Sequence, residues 1–185
     1  VVTAGSAATA RTGGTAVAAD SESAAAAAHT DGLTALAAAS AVVDPELPFV
    51  TIAELGILRA VDELDGGRVA VTITPTYTGC PAVSVIREDV RVALADAGFP
   101  DVEVRTRLSP PWSTEWISED GRRKLADAGV APPAPTRTTL LTITVRCPQC
   151  GSPDTEELSR FGSTACTALW RCRACTEPFP RVKER

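Results

Sequence analysis

Two periods of apolar and polar positions follow one another along the middle of the chain. Residues 57–64 form a run compatible with a strand, and residues 68–74 read RVAVTIT, an alternation of period two. Asp65-Gly66-Gly67 between them supplies hairpin turn chemistry, so the two strands are expected to pair antiparallel. Beyond Gly79-Cys80-Pro81 the period changes. Val83, Ile86, Val90, Leu94 and Ala97 recur at helical spacing, which predicts a helix of roughly sixteen residues with Pro81 in its first turn and Gly98 as its stop. Residues 101–108, DVEVRTRL, alternate again as a third strand, and residues 118–128 predict a second helix closed by Gly129. A short helix is expected from Asp31 to Val42, with Thr30 or Asp31 as its N-cap. The expected fold is α/β in the broad α+β sense, a small mixed sheet with packed helices.

The flanks differ from this unit. Residues 1–41 hold 17 alanines and only four charged side chains, Arg11, Asp20, Glu22 and Asp31, too little apolar bulk to offset ordering entropy. Residues 1–30 are therefore expected to be a disordered tail, and 31–130 the α/β domain. Ala131-Pro132-Pro133-Ala134-Pro135 interrupts regular structure, and 131–138 reads as a Pro-rich linker ahead of a second module at 139–185. Charge separates the two modules: residues 42–135 carry 9 basic and 15 acidic side chains, and residues 136–185 carry 8 and 5.

Composition narrows the function classes. The net charge of −5 argues against nucleic-acid binding through an overall positive field. No apolar run is long enough to span a membrane, and no Leu- or Val-dense segment follows Arg11 as an export signal would require, so a cytoplasmic protein is expected. The single histidine, His29, lies in the Ala-rich stretch, which leaves the α/β domain without an imidazole base. Neither the Glu-x-x-His pairs of di-iron carboxylate proteins nor a G-x-G-x-x-G dinucleotide fingerprint occurs. A non-catalytic role is expected.

The second module carries the most specific chemistry. Cys147-Pro148-Gln149-Cys150 and Cys172-Arg173-Ala174-Cys175 are two C-x2-C pairs, and each tight turn directs two sulfurs at one ion. A tetrathiolate zinc ribbon is expected, with Leu140–Val145 and Ala168–Arg171 as flanking strands. An iron-sulfur cluster also uses four thiolates, and spacing alone leaves it open. Arg146, Arg160, Arg171, Arg173 and Arg181 in this module are either a solvated face or a basic surface.

Two further cysteines stand apart. Cys80 falls between the end of a strand and the start of a helix, where backbone amides lower a thiol's pKa. It reads either as a small residue filling a turn or as a metal- or cluster-handling thiol. Cys166, in Phe161-Gly162-Ser163-Thr164-Ala165-Cys166, is either a core residue beneath the ribbon or a spare thiol beside the knuckles. Asp44-Pro45-Glu46 adds two carboxylates in a loop. Trp112 and Trp116, beside Pro110 and Pro111, form either a partner-binding patch or a contact with the domain's own sheet.

Several stretches together carry a resemblance: Asp-Pro-Glu at 44–46, Thr-Ile-Ala-Glu-Leu-Gly at 51–56, and Thr-Pro-Thr-Tyr-Thr-Gly-Cys-Pro-Ala at 74–82. Leu-Ser-Pro-Pro-Trp-Ser-Thr-Glu-Trp at 108–116, Gly-Arg-Arg-Lys-Leu at 121–125 and the cysteine-bearing segments of the second module extend it. Over residues 33–183 the chain resembles the PaaD family, accessory proteins of bacterial phenylacetyl-CoA epoxidase. The resemblance implies an iron-sulfur assembly type domain followed by a zinc-ribbon-like tail. It implies a role in aerobic phenylacetate breakdown, beside a multicomponent di-iron monooxygenase fed by an iron-sulfur flavin reductase. The implied task is maturation of the metal centres of that system, with its subunits as partners and the reductase foremost. Carried over by position, Cys80 becomes the cluster-handling thiol, Asp44 and Glu46 its loop partners, and Cys147, Cys150, Cys172 and Cys175 the metal ligands. The competing expectation is a structural or regulatory component of the monooxygenase complex.

Overall fold

The computed structural model describes residues 32–133 and 144–184. The expected tail at 1–30, linker residues 134–138 and residues 140–143 of the expected first ribbon strand lie outside the described residues. The chain runs from helix α1 (residues 32–40) through a loop to β1 (Leu58–Leu64) and β2 (Arg68–Ile73), then α2 (Val83–Asp96), β3 (Val102–Thr106) and α3 (Glu119–Asp127). β4 (Thr155–Ser159), β5 (Thr167–Cys172) and β6 (Pro178–Val182) complete it.

The first sheet has the order β1-β2-β3. β1 and β2 pair antiparallel through the turn at Gly66 and Gly67, whose φ values of 79° and 75° suit residues without a Cβ. β2 and β3 pair parallel, so the chain must cross over between them, and α2 is that crossover. β2 is central, and Val69–Ile73 are all buried, whereas β1 is an edge strand carrying Asp62 and Glu63. α2 lays Ile86, Val90 and Leu94 on the core, one residue per turn. It begins two residues later than Pro81 suggested.

A turn at residues 51–56 organises the rest of this domain. Glu54 Oε2 accepts the backbone N–H of Thr51, while Thr51 Oγ1 accepts that of Glu54, a reciprocal capping arrangement. Glu54 also pairs with Lys124 of α3 at 2.6 Å. α3 presses close: a Cβ on Gly121 would lie 2.7 Å from the carbonyl oxygen of Glu54. The N-cap of α3 is Ser118, whose hydroxyl accepts the N–H of Gly121 at 3.0 Å.

The second sheet is antiparallel, in the order β4-β5-β6. Pro178 and Pro180 sit in β6, an edge strand of this sheet, where a missing N–H costs little. Residues 144 and 145 are not strand, which corrects the expected strand ending there; Val145 instead packs in the small ribbon core with Ala131, Cys147, Cys172 and Phe179. The two units are packed together. Ala131 bridges to Arg181, donating its N–H to the Pro180 carbonyl at 2.8 Å, and Val182 is buried in the core of the first domain. The start of the expected linker is therefore held as part of the ribbon, and Arg122 donates to the carbonyl of Pro133 at 2.6 Å.

Candidate functional site

The four paired cysteines converge. Gly151, at φ 73°, donates its N–H to the Cys147 carbonyl and closes the first knuckle, and β5 ends on Cys172 to open the second. Cys147 Sγ is 3.7 Å from Cys175 Sγ, Cys150 Sγ is 3.6 Å from Cys172 Sγ, and all four sulfurs lie within 4.8 Å of one another. A tetrahedral ion with metal–sulfur bonds of about 2.3 Å needs its ligand sulfurs about 3.8 Å apart, so the set fits one ion. All six cysteines described are free thiols. The backbone N–H of Cys175 lies 3.5 Å from the Cys172 sulfur, aimed at it, and lowers the pKa of that thiol. Two of the five buried residues in the ribbon core, Cys147 and Cys172, belong to the four-cysteine cluster, so the candidate metal site is continuous with that core.

A second group forms where the two units meet. Asp44 is 6% exposed, and its Oδ1 accepts the N–H groups of Glu46 and Leu47, each at 2.9 Å, which fixes the loop. Burial raises its carboxyl, with those two amides acting against the shift. The loop presents Glu46 to the ribbon, and Cys166 Sγ lies 3.8 Å from Glu46 Oε2. Thr164 Oγ1 is 3.0 Å from the same sulfur. The charges of Glu46 and Asp44 also act on the thiol of Cys80, as they do on that of Cys166.

The expected low pKa of Cys80 is corrected. The amides of Ala82 and Val83 do reach its sulfur, but burial outweighs them, the carboxylates of Glu46 and Asp44 add to burial, and the thiol is raised. Cys166 is pushed up to about 11, by burial first and then by the same carboxylates, against the hydroxyl of Thr164. Cys166 lies at the junction of the units, not beneath the ribbon or beside its knuckles. Asp44, Glu46 and Cys166 thus share one neighbourhood, a relation no spacing in the sequence displays. Thr164 was overlooked; its place two residues before Cys166 was the available signal.

The tryptophans divide. Trp112 is 4% exposed and its indole N–H donates to the Leu55 carbonyl at 2.9 Å, so it belongs to the core and not to a partner patch. Trp116 is half-buried, with the Arg59 guanidinium 3.6 Å from its ring centre. The ribbon arginines are engaged locally: Arg171 and Arg173 both bind Glu156, Arg181 binds Glu184, and Arg146 donates to the Gly151 carbonyl.

Comparison with known proteins assigns both units. The PaaD zinc beta ribbon domain matches residues 131–183, and an iron-sulfur cluster assembly protein family matches residues 34–105. A putative 1,2-phenylacetyl-CoA epoxidase subunit of Escherichia coli (strain K12) is 43% identical over 145 residues, covering 78% of this chain and 87% of that protein. The chain belongs to the PaaD family. Within this PaaD-family chain the first domain has relatives of its own. The Fe-S protein maturation auxiliary factor of Bacillus subtilis (strain 168) is 41% identical over 78 residues, 42% of this chain and 76% of that protein. A solved domain of unknown function from Bacillus anthracis is 31% identical, covering 52% of this chain and 92% of its own, with a TM-score of 0.49. Among the described residues no helix is long and apolar enough to cross a membrane.

Proposed function

We propose that this chain is an accessory factor that matures a metal centre of a phenylacetyl-CoA epoxidase system and does not itself oxidise the ring. The observation that carries the reading is a pair of free thiols, Cys166 set against the carboxylate of Glu46 and Cys80 at the start of the α2 segment, in a structure whose described residues include no histidine to serve as a base. Thiols without a base suit transient metal or cluster handling better than nucleophilic catalysis. The kinship of the first domain with Fe-S protein maturation factors points the same way.

In this reading the four-cysteine site holds one zinc ion as a resident structural metal, since its sulfur spacing suits a single ion and leaves no room for the iron atoms of a cluster between the thiolates. The cargo is iron or an iron-sulfur unit handled at Cys80, and the recipient is the iron-sulfur reductase component or the di-iron oxygenase. The place of action is the cytoplasm.

The test is co-production of the epoxidase components with wild-type protein or with Cys80→Ala. The variant is expected to keep its fold and its ribbon zinc while the epoxidase components come out short of iron or sulfide and low in activity. Fully loaded, fully active components in the presence of Cys80→Ala overturn the reading. The name of the Escherichia coli relative supports a second reading, a standing component of the complex. Co-purification in fixed ratio, with activity lost when the chain is removed from assembled enzyme, favours that alternative.

A further inference from the structure

The outer edge of β3 carries an order of charges that is its own complement. In the first sheet β3 is an edge strand, paired in parallel with β2 and, among the described residues, with no strand on its other side. The ends of that ladder fix which backbone groups are used. The Asp101 carbonyl accepts the N–H of Val69 at 3.0 Å, and Arg107 donates its N–H to the Ile73 carbonyl at 2.8 Å. Residues 101, 103, 105 and 107 therefore turn their N–H and C=O groups to β2, and Val102, Val104 and Thr106 turn theirs outward. Such an edge is a template for a further strand.

The side chains select that strand. Asp101, Glu103, Arg105 and Arg107 are all exposed and alternate with Val104, whose side chain is buried in the core on the opposite face. Two acids are followed by two bases at every second position, and Arg105 already meets Glu103 of its own strand at 2.7 Å. Laid antiparallel on a copy of itself with Val104 opposite Val104, the strand sets Glu103 against Arg105 and Asp101 against Arg107, both ways round. Val104 with Val104 and Val102 with Thr106 then form the hydrogen-bonded pairs, using the outward groups. The charged residues fall at the closely spaced, non-hydrogen-bonded positions, where opposite charges stabilise. Centring the pairing on Glu103 or Arg105 places like charges opposite each other instead.

The geometry points to a homodimer in which the β3 edges of two copies pair antiparallel about Val104, joining the two three-stranded sheets into one. The occupant of the edge is a second copy of this chain, chosen by charge: an edge of one sign would repel its copy, and this one attracts it. β1, the opposite edge, is less suited. Its pairing with β2 shifts register between Leu58 and Ala60, and α1 lies against it, so that a Cβ on Gly32 would stand 2.9 Å from Glu63 Oε1. No residue of the β3 pairing carries a thiol, so the dimer stands or falls apart from the maturation reading.

The experiment is sedimentation velocity of the zinc-loaded full chain over a range of concentrations at low and high salt. The wild-type chain should associate reversibly to a dimer, less so at high salt. Glu103→Arg and Arg105→Glu each set like charges opposite one another and should weaken the dimer by more than about tenfold. The double variant restores opposite pairs and should return to within about threefold of wild type. Thr106→Pro, at an exposed position whose N–H takes no part in the β2 ladder, should weaken the dimer as well. Unchanged zinc content and far-ultraviolet circular dichroism report that each variant has folded. Hydrogen exchange of the wild-type chain needs no variant: the amides of Val102, Val104 and Thr106 should gain protection as concentration rises. A chain that stays monomeric, a dimer indifferent to the charge reversals, or a double variant no better than the single ones overturns the inference. So does protection of those amides that is independent of concentration, since the edge is then covered by a segment of the same chain, such as residues 134–143.

Discussion

The thiol of Cys166 stands 3.8 Å from a carboxylate oxygen of Glu46, joining the tip of the ribbon to the first loop of the α/β domain across 120 positions of chain. This contact joins two modules of different charge. Thr51, Glu54, Gly56, Trp112, Gly121 and Lys124 hold the 51–56 turn, α3 and the tryptophan loop together. Asp44, Glu46 and Cys166 gather at the junction.

Cys150→Ser should abolish stable metal binding by the ribbon, because three thiolates replace four around one ion and the ribbon core depends on two of the ligands. Metal content per chain should fall from one equivalent towards none, and near-ultraviolet circular dichroism should lose the ribbon's contribution while the α/β domain persists. Full metal occupancy in this variant would count against the four-ligand assignment.

The raised thiols give a pH dependence of defined sign. Cys166 is pushed from 9.0 to about 11 in the folded chain, so its unfolded thiol ionises first. The contribution to stability is fully present below the unfolded value and is lost as pH rises through about 11; Cys80 shifts in the same direction. Denaturant midpoints of the zinc-loaded protein should therefore fall through this alkaline window, and less so in Cys166→Ala. Near pH 8 both thiols should react with iodoacetamide more slowly than free cysteine, as read by mass spectrometry.

Gly121→Ala should destabilise the α/β domain despite alanine's better helix propensity. The added Cβ would meet the Glu54 carbonyl oxygen at 2.7 Å, and the backbone on both sides is fixed by the Ser118 cap and the Glu54–Lys124 pair. A loss of about 1–3 kcal/mol is expected for overpacking of this kind. Urea unfolding measures it, and an unchanged or raised midpoint would contradict the close approach.

Trp112→Phe should cost about 1–3 kcal/mol, since it leaves the Leu55 carbonyl without its indole donor inside the core. Fluorescence should separate the two tryptophans of this loop, with Trp112 emitting at shorter wavelength than half-buried Trp116. A Trp112 signal that is readily quenched by iodide in the native chain would put the ring back at the surface.

The local order of this protein is legible in its residues. The hairpin at Gly66 and Gly67, the periodicity of Ile86, Val90 and Leu94, and the Ser118 cap each arise from interactions spanning a few positions, so sequence alone located β1, β2, β3, α2 and α3 to within a few residues. The two C-x2-C pairs are equally local, and they picked out all four thiols that converge. β6 escaped because its prolines disfavour a strand until the sheet places them on an edge, and β4 because TEELS has no clean alternation.

What the tertiary structure alone decided are the relations that cross the chain. Burial set the pKa of Cys80 upward against its amides, and it placed Trp112 in the core. Packing of Val182 into the first core accompanies the approach of Cys166 to Glu46. Such outcomes depend on which surfaces exclude water from one another. That exclusion is a property of the packed chain as a whole and has no signature in the spacing of any one segment.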